Sequence, residues 1–162
     1  MPANPNWARW IFASISDVLK TVAETNSIPV IVEGMDDETD AFTEATDRLE
    51  IRISGPFTKE FPGEYRIYMD VNVLLTSRFD GPSKNRYAIL LNAGLFHEAM
   101  DQAIKVYRYG IEVGDDDSYL GCLLPRSGKN DTIRVIHFGK IDPTDKLKQS
   151  VVDARYEMYL DN

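Results

Sequence analysis

Residues 64–77, EYRIYMDVNVLLTS, constrain the fold more than any other stretch of this chain. Tyr65, Ile67, Met69, Val71, Val73 and Leu75 fall on one parity, and Arg66, Tyr68, Asp70 and Asn72 on the other. That is the period-2 alternation of a strand with one buried face. In residues 48–55, Leu49, Ile51 and Ile53 alternate with Glu50, Arg52 and Ser54 in the same way. Between the two strands, residues 56–63 (PFTKEFPG) bring two prolines and a glycine, which is loop chemistry. The pair therefore predicts a long antiparallel hairpin with an extended tip.

A strand with one apolar face needs a cover, and the chain supplies two candidates. Trp7, Trp10, Ile11, Ile15, Val18, Leu19 and Val22 recur at three and four. With Asn4 as N-cap and Pro5 as first helical residue, they predict an amphipathic helix over about residues 5–24. Tyr87, Leu90, Leu91, Leu95, Phe96, Ala99, Met100, Ala103, Ile104 and Tyr107 keep helical spacing across residues 84–109, with Gly94 as a point of division and Gly110 as the stop. Further strands are expected at 28–33, at 118–124 and 132–140, and at the C-terminus, where Val152, Ala154, Tyr156, Met158 and Leu160 alternate with polar residues. Residues 34–47 read as an exposed acidic loop. The sum is one α+β domain over residues 1–162. Its mixed, mostly antiparallel twisted sheet carries the hairpin, and an N-terminal and a long central helix cover it.

The chain has 162 residues, 43% hydrophobic and 27% charged, with a formal net charge of −8. That length buries a core without metal or disulfides, and Cys122 is the only cysteine. The acidic balance argues against binding nucleic acid by phosphate neutralisation, which needs a basic stripe. It suits a surface that DNA passes without sticking. No basic segment leads into an apolar run at the N-terminus, and no stretch reaches the about 18 apolar residues of a membrane span. No membrane partner and assembly in the cytoplasm are expected.

Several patterns approach chemistry and miss. His97-Glu98-Ala99-Met100-Asp101 lacks the second histidine of a zinc-protease helix. Asp36, Glu38 and Asp40 imitate a calcium loop, but Ala41 stands where a glycine must turn the chain. Gly121 and Gly128-Lys129 have the wrong spacing for a phosphate loop, with Asn130 where Ser or Thr would hold magnesium. Cys122 lies in an apolar strand, the setting of a structural thiol and not of a nucleophile. No catalytic residue, metal or cofactor is expected.

Helix, strand, acidic loop, long hairpin, helix and closing strands follow in that order. Through WARWIFASISDVLKTV, IPVIVEG, YRIYMDVNVLLTS and VVDARYEMYL, the chain resembles the tail terminator proteins of long-tailed bacteriophages. The resemblance implies a structural virion protein of the tail and neck, and not an enzyme. Copies, six by the family pattern, would form a homo-oligomeric ring that caps the tail tube. The ring would join the tube to neck and head-completion proteins, and to a sheath where one exists, while DNA passes through without specific binding. The related alternatives are another neck or head-completion connector, or a small acidic binding or inhibitor protein. Trp7 and Trp10 are either core anchors or partner contacts. Phe57 and Phe61, two aromatics on a polar tip, are candidate interface residues. Asp36, Asp37, Glu38, Asp40, Asp115, Asp116 and Asp117 are candidate channel-lining carboxylates.

Overall fold

The computed structural model describes residues 6–32, 47–61, 64–78, 88–108, 119–126, 133–140 and 147–160. Among them the elements run α1 (Trp7–Thr25), β1 (Val30–Val32), β2 (Asp47–Phe61), β3 (Glu64–Arg78), α2 (Ala88–Met100), β4 (Ile104–Tyr107), β5 (Tyr119–Pro125), β6 (Arg134–Lys140) and β7 (Leu147–Leu160). The strands form one seven-stranded sheet in the order β1-β2-β3-β7-β5-β4, with β6 also paired to β7. Only β1 and β2 run parallel; every other pairing is antiparallel. The expected α+β fold, with helices on a twisted and mostly antiparallel sheet, is the fold observed.

The alternation in β3 sets the core. Ile67, Met69, Val71, Val73 and Leu75 are all buried, and they meet Leu49 and Ile51 of β2 on one side and Val152, Ala154, Tyr156 and Met158 of β7 on the other. This face is covered by Ile11, Ile15, Leu19 and Ala23 of α1 and by Ile89, Ala93, Phe96 and Met100 of α2. Each set repeats at three to four residues, so each helix buries one stripe.

α1 begins at Trp7 with Asn6 as its N-cap; Asn4 and Pro5 lie outside the described residues. It ends in a tight reversal. The Ile28 amide donates to the Ala23 carbonyl at 2.9 Å and the Ser27 amide to Glu24 at 3.0 Å. Ser27 takes the left-handed conformation, φ 55°, that glycine usually supplies in this motif.

Three expectations need correction. The hairpin has no extended tip: β2 continues to Phe61 and β3 starts at Glu64, so only Pro62 and Gly63 lie between them. The Gly and Pro at 55 and 56 serve a bulge inside β2 and not a turn. The central helix does not run to 109. It stops at Met100, and Ile104 and Val106 are buried on a strand while Lys105 and Tyr107 face out. Met100, Ile104 and Tyr107 fit helical spacing, but pairing with β5 decides for a strand. Gly94 does not divide the helix, which passes through it unbroken.

Tyr156 fixes where α2 ends. Its ring is fully buried in the sheet's inner face, and its hydroxyl donates to the Met100 carbonyl at 2.6 Å. Burial, with a smaller contribution from Asp101, holds its phenol well above the usual value of 10.0. Tyr156→Phe should destabilise the fold by about 1–3 kcal/mol in urea denaturation, because a buried carbonyl loses its donor. A raised folded pKa stabilises fully below pH 10 and loses that contribution as pH rises beyond it. The gap between wild type and variant should therefore narrow above about pH 10. Ser27→Gly should raise stability by about 1 kcal/mol, by relieving the left-handed strain.

Candidate functional site

The outer face of the sheet is a lattice of charge. Arg155 grips Asp70 with two hydrogen bonds, Nε to Oδ1 at 2.6 Å and Nη2 to Oδ2 at 3.1 Å. Arg134 pairs with Asp153 across β6 and β7. Arg126 stands 3.9 Å from Glu157 and stacks over Tyr68, 5.5 Å from the ring centre. Half-exposed pairs of this kind contribute about 0–1 kcal/mol each, so they order the surface more than they stabilise the fold.

Phe57 reaches this face through the bulge. By alternation with Leu49, Ile51 and Ile53 it would point into the core. Between the pairs Ser54–Asp70 and Phe57–Tyr68, however, β2 holds two residues where β3 holds one. The extra residue reverses the parity and puts Phe57 outside beside Tyr68, 52% exposed. Gly55 makes the bulge feasible. Its φ is +120°, and a Cβ there would stand 2.9 Å from the Tyr68 carbonyl oxygen. The side chain of Phe61 lies outside the described residues, as do Asp36, Asp37, Glu38, Asp40, Asp115, Asp116 and Asp117.

Trp7 and Trp10 sit in the first turn of α1, edge to face with centroids 6.0 Å apart. Both are half-buried against the core, and the Arg108 guanidinium stacks 5.8 Å from the Trp10 ring centre. Further along α1, the Ser14 hydroxyl accepts the Tyr107 amide at 3.2 Å, tying the helix to the end of β4. Tyr107 and Tyr119 meet edge to face at 5.9 Å, and the Tyr119 hydroxyl lies 3.1 Å from Cys122 Sγ. That contact holds the Tyr119 phenol above its usual pKa.

Sequence reasoning expected a strand at 132–140 but not the exposed apolar margin that it forms as β6. Val135, Ile136 and Phe138 are 36%, 40% and 56% exposed on a strand that pairs, among described residues, with β7 alone. The available signal was apolar residues on both parities in VIHF, which one buried face cannot absorb. His137 Nδ1 lies 2.6 Å from Ser150 Oγ. Ser150 is buried and no described carboxylate supports the ring, so this contact satisfies a buried hydroxyl and offers no accessible nucleophile. Among the described residues no three His, Cys, Asp or Glu side chains gather as a metal site. No described helix is long and apolar enough to cross a membrane.

No protein-family model and no curated protein matches this chain. Among solved structures, 11 chains are similar. One of them, which carries no functional name, superposes with a TM-score of 0.52 at 15% identity, covering 93% of this chain and 94% of its own. That likeness is one of fold.

Proposed function

We propose that this chain is a structural protein of a phage virion, whose copies form a ring that caps the tail tube and joins it to the neck and head. The observation that carries the reading is the β6 margin. Three large apolar side chains stand exposed on a strand with no described neighbour on its outer side. A monomer pays for such an edge in aggregation, whereas a closed ring satisfies it with the next copy. The resemblance of the element order to tail terminators supports the same reading. No side chain need perform chemistry, and the net charge of −8 suits a ring that lets DNA slide through its bore.

Phe57 suits contact with tube or neck. It is an aromatic held outside on a rigid strand beside Tyr68 and Arg126, the residue types that dominate interface energetics.

Purified protein, alone or mixed with isolated tails, should give rings with a central hole in negative stain and a mass several times that of one chain. Material that stays monomeric in both settings, or that turns over a substrate, would remove the proposal. Phe57→Ser should change unfolding free energy by no more than about 0.5 kcal/mol and yet abolish the joining of tails to heads in a complementation assay. Loss of folding would instead assign Phe57 to the core.

A further inference from the structure

We infer that the ring closes by addition of β6 of one copy to β1 of the next, a seam that rests on the ring reading above. Among the described strands the sheet has three margins, formed by β4, β1 and β6. The first is occupied: α1 lies along β4, and Ser14 takes the Tyr107 amide. No described strand pairs with the outer side of β1 or of β6.

Rotational closure requires two different surfaces that meet head to tail, since an edge that pairs with its own copy stops at a dimer. β1 and β6 are such a pair. β1 runs with β2, against β3, with β7 and against β6, so the two open strands point in opposite directions. Rotation about an axis along the strands preserves direction. It therefore sets β6 antiparallel to the β1 of the neighbour, the more favourable of the two ladders.

Charge disfavours the rival self-pairing. β6 reads RVIHFGK, with Arg134, His137 and Lys140 and no carboxylate. Pairing β6 with a second β6 would instead bring the basic residues of two copies together. The exposed Val135, Ile136 and Phe138 meet a strand that is itself Val-Ile-Val.

Val30 pairs with buried Leu49, and Val135 and His137 pair with buried Val152 and Ser150, so these three positions share the inner face. In full-length protein carrying Cys122→Ser, Val30→Cys should be combined in turn with Val135→Cys and with His137→Cys. One of the two pairs should give, on oxidation, a disulfide ladder on denaturing gels that single-cysteine chains lack. Phe138→Glu should leave the circular dichroism and unfolding midpoint unchanged, and raise the concentration needed for rings by about tenfold or more. Wild-type rings with no ladder from either pair and no effect of Phe138→Glu would overturn the seam and leave the ring reading intact. Wild-type protein that forms no ring, alone or on tails, would overturn both.

Discussion

The fold depends on one long pairing, β3 with β7, which runs in unbroken register from Tyr65–Leu160 to Arg78–Leu147. Every second residue along it faces the helices. Burial of each large side chain on that face contributes about 1.5–3 kcal/mol, so Ile67, Val73, Val152 and Met158 act as a set. A slip of one residue would turn the whole set to water and bring Asp70, Asn72 and Arg155 inside. The register is therefore fixed by the burial, and the positions of the other elements follow from it. β2 and β1 extend the sheet on one side, β5, β4 and β6 on the other, and both helices must lie where the apolar parity points.

Against that fixed frame, local irregularities decide what faces outward. The extra residue at Gly55 and Pro56 turns the end of β2 over and delivers Phe57 to the charged face. A second irregularity, between His137 and Gly139, accompanies the exposure of Phe138 on β6. In β5, Gly121 has φ +145°, a backbone conformation that side chains rarely adopt, and a Cβ there would push aside the end of the Met158 side chain. Each device costs regular ladder hydrogen bonds and gives a particular side chain a particular side.

What could be read from the chain was what periodicity encodes. β3, β7 and α1 each carry an uninterrupted pattern with one period; β3 and α1 formed within a few residues of their expected bounds, and β7 begins at Leu147, ahead of the pattern that starts at Val152. Where a pattern served two periods, the sequence misled. Met100, Ile104 and Tyr107 satisfy a helix, but Ile104 and Val106 satisfy a strand, and only the presence of β5 chooses between them. Glycine followed by proline signals a break in regular structure without saying whether that break is a turn or a bulge. Strand order was not legible either, because the parallel entry of β1 beside β2 rests on contacts distant in sequence. Of the candidate site, Phe57 stood out as an aromatic among polar neighbours, while β6 did not, since its mixed parity resembles a weak strand until its neighbours are known.

An acidic chain whose β1 and β6 have no described strand on their outer sides combines two forces of different reach. Repulsion between copies that each carry −8 acts over about a Debye length, roughly 8 Å at physiological salt, and disfavours approach in most orientations. Backbone pairing and apolar contact act only once two edges touch. Random collisions between such copies are therefore unproductive. In the proposed seam, the encounter that would survive is the one in which the apolar β6 margin meets an edge of complementary direction. On this balance, high net charge is the condition under which an exposed strand such as β6 can persist without indiscriminate aggregation, and directed assembly is what it leaves possible.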